Sequence, residues 1–323
     1  MRSGAACGRR TGTICKFALV AAAAPLLSAC AHDITRLTQD CAGPGGWCPD
    51  TREVAKNTWE YAQLAQNSYW EEALASDEYL DLPYVLRPEV KERFASVDDK
   101  YGFAYSLFDR FDESGALQEV ILVFRGTEGP KDWWHGTLLG RQGPRGVSIY
   151  RQVRAALDDA GYADIPISLA GHSLGGRIAD HVVKVVDRED GALPATLSSY
   201  LFNPNASGHA LERPADWAGP VHVSVSEEGE IAGWVRAITI DEEWDGYAID
   251  CQTTLNPIAK HYMRRLADCL TWIAANNSEP ARISAARNEI AGPPMERARR
   301  DEGRSEQADS GGAASPAQAA PEP

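Results

Sequence analysis

The 323-residue sequence lacks the basic excess that nucleic-acid-binding proteins carry. It has 32 Lys and Arg residues against 46 Asp and Glu residues, which gives a formal charge of −14. An acidic protein is repelled by the phosphates of nucleic acids and by anionic lipid headgroups. The composition therefore argues against nucleic acid as a partner, and any membrane contact has to come from apolar groups or an anchor.

A transmembrane helix needs an apolar run of roughly 20 residues, and the N-terminal part of the sequence lacks one. Residues 17–29 are almost wholly apolar, and the only charged residues before them are basic. This pattern is typical of a secretory signal peptide, which is removed from the mature protein. Residues 1–29 are therefore predicted to be cut off, and no permanent membrane helix is expected there.

The apolar run ends in Leu27-Ser28-Ala29-Cys30, which resembles the bacterial lipobox. The resemblance implies a lipid anchor on Cys30, which would become the first mature residue. Because Ala31 rather than an aspartate follows, it also implies the outer membrane of a bacterial cell envelope, at its periplasmic face or surface. The alternative is ordinary signal cleavage after Ala29 or Ala31, with Cys30 unmodified.

No CxxC pair and no cluster of histidines accompanies the cysteines, which argues against a zinc site. Two of the seven cysteines leave with the signal peptide and a third is the lipidation candidate. In an oxidising compartment the remaining four suit two disulfides, and the simplest of the three connectivities joins Cys41 to Cys48 and Cys251 to Cys269. We expect no metal and no cofactor.

No internal repeat divides the chain, and its ends differ in composition from its middle. Residues 30–51 contain glycine turn signals and are predicted to be a short tether, whereas residues 292–323 are rich in Gly, Ala, Ser and Pro and are predicted to be disordered. Residues 52–291 are long enough for one domain with a core of ordinary size, and we expect a monomer.

Hydrophobic patterns predict strands that alternate with helices through this domain. Strands are predicted at 103–108, 119–124, 165–170, 197–202, 221–225 and 235–240, and helices at 54–74, 148–160, 174–186 and 261–272. The run at 119–124 does not alternate, which indicates a strand buried on both faces. The alternation predicts an α/β fold with a doubly wound, mostly parallel sheet and helices on both faces.

Ser173 lies in Gly171-His172-Ser173-Leu174-Gly175, between a predicted strand and a predicted helix. A nucleophilic serine has to be exposed on a sharp turn at the carboxyl edge of a sheet, and the flanking glycines allow the close approach of backbone that such a turn requires. The alternative is a glycine-rich turn in which the serine caps a helix without any catalytic role.

A second element precedes Ser173 by one strand and helix. The combination of Val123-Phe124-Arg125-Gly126-Thr127 with Gly-His-Ser-Leu-Gly-Gly resembles the class 3 lipase family of α/β-hydrolases, over roughly residues 54–270. That family contains triacylglycerol lipases and phospholipases A1. The resemblance implies that Thr127 and the backbone N–H of Leu174 form an oxyanion hole.

The chain order in this fold is serine, acid, histidine, which removes most histidines as candidates for the base. His261 follows the last predicted strand and is the predicted base, with a surface or helix-capping role as the alternative. His172 is expected to point away from the site. The acid is expected among Glu227, Glu228 and Glu230; the family usually has an aspartate followed by an aliphatic residue, and Glu230 before Ile231 fits best. A solvated acidic turn is the alternative.

The segment after Thr127 contains Trp133, Trp134, Leu138 and Leu139, which the resemblance places in a mobile lid, although a loop whose tryptophans fill a core groove fits equally well. The predicted function is a serine carboxylic ester hydrolase that acts on lipids through an acyl-enzyme on Ser173. The alternatives are an esterase or thioesterase for soluble substrates and a non-catalytic surface lipoprotein.

Overall fold

The computed structural model describes residues 34–69, 79–82, 85–86, 103–126, 139–191, 193–204, 221–233 and 246–293. Several sequence predictions lie outside these residues: the signal peptide, Cys30, Thr127, lid residues 133–138, the strand at 235–240 and the tail from 294. Within the described part of the chain, no helix has the length and apolar character to cross a bilayer.

One mixed sheet organises the described residues. Its strands are β1 (Ile34–Leu37), β2 (Val85–Leu86), β3 (Tyr105–Phe111), β4 (Leu117–Phe124), β5 (Ile167–His172), β6 (Leu197–Phe202), β7 (His222–Glu227) and β8 (Gly246–Ile249). The strand order is β1-β8-β7-β6-β5-β4-β3-β2. Strands β4 to β8 and β1 run parallel to one another, and only the β2–β3 and β3–β4 pairs are antiparallel.

Helices cover both faces of this sheet. They are α1 (Pro49–Asn67), α2 (Leu139–Asp159), α3 (Leu174–Asp190), α4 (Pro257–Lys260), α5 (Met263–Ala274) and α6 (Glu279–Arg287). Helices α1, α5 and α6 share one apolar cluster with the sheet, and α2 and α3 share a second one on the other face. The predicted α/β class, with a mostly parallel sheet between two helical layers, is confirmed.

Strand β4 shows why its sequence does not alternate. Ile121 and Val123 pack in the cluster of α1 and α5, whereas Val120, Leu122 and Phe124 pack in the cluster of α2 and α3. All five side chains are fully buried. A strand covered by helices on both sides needs apolar residues at every position, which confirms the interpretation of this run.

The ends of the domain differ from the sequence predictions. Residues 34–37, assigned to the tether, form the edge strand β1, which pairs with β8. Strand β8 and helix α6 were not predicted. Strand β8 is only four residues long, Gly-Tyr-Ala-Ile, and only its position between β7 and β1 makes it a strand. The predicted helix at 261–272 begins instead at Met263, after the separate turn of α4.

Both favoured disulfides are present. Cys41–Cys48 closes the connection between β1 and α1, and Cys251–Cys269 ties the segment after β8 to α5. The second bridge spans 18 positions, and His261 lies between its two cysteines. The segment that carries the predicted base is therefore held at both ends.

Candidate active site

Ser173 occupies a sharp turn between β5 and α3. Its backbone has φ 56° and ψ −118°, in a region that residues other than glycine rarely adopt. Such a conformation costs on the order of 1–3 kcal/mol. The turn is fixed by packing: a Cβ on Gly171 would lie 2.4 Å from the carbonyl carbon of Gly175, and one on Gly175 would lie 2.0 Å from the carbonyl oxygen of Phe124. The expected role of both glycines is confirmed.

Two side chains from distant parts of the sequence meet Ser173. The Nε2 atom of His261 lies 2.9 Å from Ser173 Oγ, and its Nδ1 atom lies 2.7 Å from Glu230 Oε2. Because a carboxylate only accepts, Nδ1 carries the proton, and Nε2 is left to accept from the serine hydroxyl. The structure thus connects a hydroxyl, an imidazole and a carboxylate in one chain of hydrogen bonds.

Glu230 differs from Glu228 in burial and from Glu227 in the partners of its side chain. Its side chain is fully buried and also accepts a hydrogen bond from the backbone N–H of Ala232, at 2.6 Å. The Glu228 side chain is 41% exposed and pairs with Arg36. Glu227 is buried but accepts from the N–H groups of Cys251 and Gln252, so among the three candidates only Glu230 contacts the imidazole of His261.

The surroundings of Ser173 include a source of backbone donors. Leu174 is the first residue of α3, and the first N–H groups of a helix have no intrahelical acceptor. The helix N-terminus also favours negative charge. Gly126, two residues after the end of β4, lies close to Ser173: a Cβ added to Gly126 would be 3.3 Å from Ser173 Cβ. Thr127 follows Gly126 directly but lies outside the described residues.

His172 lies closer to the site than the sequence predicts. It does not contact the Ser173 hydroxyl as the base does, but its ring, predicted to point elsewhere, is buried beside His261. Its Nε2 atom is 2.7 Å from the main-chain oxygen of His261, and its Nδ1 atom is 2.7 Å from the hydroxyl of Tyr69. No spacing rule links Tyr69 to residues 172 and 261, so only the fold reveals this contact.

A second polar cluster lies under the segment that carries His261. Lys260 Nζ donates to the carbonyl oxygen of Glu228 at 2.8 Å and to Asp250 Oδ1 at 3.1 Å, and it lies 3.9 Å from Glu227 Oε1. Burial raises the pKa of Glu227 to about 8. The side chain of Asn203 accepts from the backbone N–H of Glu227 at 2.7 Å, which joins the ends of β6 and β7.

The chain is similar to known proteins in structure but matches none in sequence. No protein-family model and no curated protein sequence matches the chain. Similar solved structures include the Rhizomucor miehei triacylglyceride lipase, at 18% identity over 56% of this chain and 73% of that one, with a TM-score of 0.36. They also include the Lip2 lipase from Yarrowia lipolytica, at 16% identity over 61% of this chain and 79% of that one, with a TM-score of 0.42.

A triacylglycerol lipase from Penicillium expansum is similar at 12% identity over 62% of this chain and 80% of that one, with a TM-score of 0.43. Since such scores are low, what the chain shows by itself decides the fold: the parallel order of β4 to β8, helices on both faces, and a strand, Ser173 and helix in direct succession. These features give the chain an α/β-hydrolase fold.

Proposed function

We propose that the protein is a serine carboxylic ester hydrolase that acts on lipids, with Ser173 as nucleophile, His261 as general base and Glu230 as the acid of the triad. The observation that carries the proposal is the hydrogen-bonded chain from Ser173 Oγ through His261 to Glu230, at 2.9 and 2.7 Å, on a turn held at positive φ. Nucleophile, base and orienting group are each within the reach that such catalysis requires.

The chemistry follows from these positions. His261 Nε2 takes the hydroxyl proton as Ser173 Oγ bonds to the ester carbonyl carbon, and Glu230 stabilises the imidazolium that forms. The backbone N–H of Leu174, with Thr127 as the second donor, would stabilise the oxyanion. Collapse of the tetrahedral intermediate breaks the ester C–O bond, and His261 gives its proton to the leaving alcohol. In the second half-reaction His261 takes a proton from water as the water attacks the acyl-enzyme, and it returns that proton to Ser173 Oγ as the acid is released.

A fluorophosphonate probe tests this function directly. The wild-type protein is expected to be labelled and Ser173→Ala to stay unlabelled. Ser199→Ala is a matched control, because Ser199 Oγ also contacts a histidine, His222, at 2.9 Å, but lies within strand β6. Absence of label on folded wild type, or unchanged label in Ser173→Ala, would refute the enzyme in favour of a non-catalytic surface lipoprotein.

Exposed apolar side chains close to His261 in the sequence support a lipid over a soluble ester as the substrate. Leu255, Ile258 and Tyr262 lie within seven residues of one another around His261 and are 96%, 47% and 59% exposed. Exposed apolar side chains lose contact with water when they meet acyl chains. The predicted lid side chains of Trp133, Trp134, Leu138 and Leu139 lie outside the described part of the chain, and their contact with lipid stays a prediction.

Changing this surface separates a lipid hydrolase from an esterase or thioesterase for soluble substrates. Leu255→Ser with Ile258→Ser is expected to lower the rate on emulsified long-chain triacylglycerol several-fold and to leave the rate on soluble p-nitrophenyl acetate unchanged. Ile283→Ser on α6, at a side chain that is 49% exposed, serves as control. Equal loss on both substrates, or no loss on either, would favour the soluble-ester alternative.

We also propose that lipidated Cys30 holds the enzyme on the outer membrane. Strand β1 begins at Ile34, four residues after Cys30, so the anchor would keep this edge of the sheet within about 14 Å of the lipid. Cys30→Ala is expected to release the mature protein from the membrane fraction into the soluble fraction of the envelope. If both proteins fractionate with membranes and wild type carries no lipid by mass spectrometry, the anchor is excluded.

A further inference from the structure

His172 lies between the end of α1 and the backbone of the proposed base. Its Nδ1 atom is 2.7 Å from Tyr69 Oη and its Nε2 atom is 2.7 Å from the carbonyl oxygen of His261. His172 is 5% exposed, and Tyr69 is held at the C-terminal end of α1, where its N–H donates to the carbonyl of Gln66 at 3.2 Å. A buried imidazole thus joins the end of α1 to the segment of His261, and it lies 103 positions from Tyr69 and 89 positions from His261 along the chain.

The partners of His172 decide where its proton lies. A carbonyl oxygen only accepts, so Nε2 carries the hydrogen and donates to His261. The remaining Nδ1 lone pair then accepts from the Tyr69 hydroxyl, which fixes one neutral tautomer. Burial, and secondly the neighbouring His261, lower the pKa of His172 well below its usual range, in agreement with a neutral ring.

The neutral state of His172 is important because its ring lies next to that of His261. The centroids of His172 and His261 are 4.8 Å apart, with 44° between their planes. A positive charge on His172 would oppose the imidazolium that His261 becomes when it takes the serine proton. A neutral His172 can support the backbone of His261 without opposing this charge. Within the described residues, the charged or titratable groups that face it are the Tyr69 hydroxyl and His261 itself.

Gly126 leaves the space through which Tyr69 reaches His172. A Cβ at this position would lie 2.2 Å from the Tyr69 hydroxyl oxygen and 2.6 Å from the carbonyl oxygen of His172. No side chain can be added there unless the hydroxyl moves. The glycine after Arg125 therefore has a defined role in the site, separate from the oxyanion donor expected at Thr127.

We propose that Tyr69 and His172 are positioning residues for His261: the Tyr69 hydroxyl fixes the tautomer of His172, and His172 holds the main chain of the base at the distance that Ser173 requires. This inference rests on the proposed hydrolase function. It assigns to the histidine beside the nucleophile a role that acts through His261 and not on the substrate. A displacement of the base by about 1 Å is enough to lower a rate on the order of 100-fold.

Two variants of His172 and one of Tyr69 test the proposal in the full-length mature protein. His172→Gln can keep an N–H donor near the Nε2 position, His172→Leu removes the donor at similar volume, and Tyr69→Phe removes one oxygen. We expect kcat on p-nitrophenyl butyrate to fall roughly tenfold in Tyr69→Phe and on the order of 100-fold in His172→Leu, with KM unchanged, and to recover largely in His172→Gln.

The rate of fluorophosphonate labelling and the Tm are measured on the same samples. Slower labelling of folded Tyr69→Phe and His172→Leu, with the Gln variant close to wild type, supports the positioning role. Wild-type rates in folded Tyr69→Phe and His172→Leu overturn it, as does a rise in KM at constant kcat. Tyr69→Phe decides the matter where His172→Leu does not fold. An unlabelled wild type is a different result, because it refutes the hydrolase itself.

Discussion

At the scale of single residues, three glutamates within four positions take three different environments. Glu227 is buried against backbone N–H groups, Glu228 is partly exposed, and Glu230 is buried against His261. Gly229, at φ 74°, makes the turn that separates the last two. A residue's distance from the strand end in sequence therefore says little about its role here, since one backbone reversal changes which side chain enters the site.

The proposed acid can be tested by removing one charge. Glu230→Gln keeps the size of the side chain but no longer stabilises the imidazolium of His261, and kcat is expected to fall on the order of 10³- to 10⁴-fold. Glu228→Gln is the matched control and should stay within about twofold of wild type, because its partner is an exposed arginine. Initial rates on a short-chain ester measure both. A larger loss of kcat in Glu228→Gln than in Glu230→Gln would identify Glu228 as the acid.

Glu227 gives a pH dependence of stability. Burial raises its pKa from 4.5 to about 8, so the folded protein keeps a proton that the unfolded chain releases. Between these two values the free energy of unfolding decreases as pH rises. Glu227→Gln cannot ionise, and its Tm should fall less than that of wild type between pH 5 and pH 8. Equal slopes in wild type and variant would show that Glu227 ionises alike in both states.

At the scale of elements, the site depends on how closely α3 packs on β4 and β5. Gly175 lies against the backbone of Phe124 and Gly171, Gly176 lies against the backbone of Gly171, and the missing side chains of Gly171 and Gly175 permit this approach. This packing holds Ser173 in its unusual backbone conformation. A hydrogen bond from the Ser173 N–H to the carbonyl oxygen of Phe202 on the neighbouring strand, at 3.0 Å, also holds it there. The strain at the nucleophile is thus balanced by the packing of three strands and a helix.

Gly175→Ala measures this packing. Its Cβ would meet the carbonyl oxygen of Phe124 at 2.0 Å, and we expect a loss of about 3 kcal/mol in urea unfolding together with loss of fluorophosphonate labelling. Gly191→Ala at the end of α3 is the control, because its Cβ meets nothing within 4 Å and the positive φ costs only about 1–2 kcal/mol. It should keep its labelling rate. Normal labelling of Gly175→Ala would contradict the close approach.

At the scale of the whole molecule, the two ends of the described chain share one core. Helix α1 near the start and helices α5 and α6 near the end pack together on one face, while α2 and α3 cover the other. Strand β1 likewise pairs with β8. The proposed base therefore lies on a late segment whose position depends on early residues, and the Cys251–Cys269 bridge closes that segment.

Removal of each disulfide should affect activity differently. Chain entropy predicts a loss of about 3 kcal/mol for the bridge that spans 18 positions and about 2 kcal/mol for the one that spans 7. Cys251→Ser with Cys269→Ser frees the segment of His261, so kcat should fall further than in Cys41→Ser with Cys48→Ser at a temperature where both variants are folded. Equal kcat values would show that the bridge stabilises the protein without positioning the base.

The part of the protein that the sequence predicts is the part governed by local pattern. The strands at 119–124 and 197–202 and the turn at Ser173 follow from apolar runs and from glycine spacing, and both disulfides follow from sequence proximity. Predicted helix ends were less accurate: α1 stops at Asn67 and α5 starts at Met263. Helix ends depend on capping and on tertiary contacts, which apolar periodicity does not record.

The sequence by itself determined the α/β class and the expectation of a nucleophile at Ser173 and a base at His261, because strand, glycine turn and chain order are local or sequential properties. The tertiary structure alone decided which glutamate meets His261, that His172 and Tyr69 support it, and that residues 34–37 join the sheet. These contacts join residues far apart along the chain, and only the packing of α1, α5 and the sheet brings them within hydrogen-bonding distance.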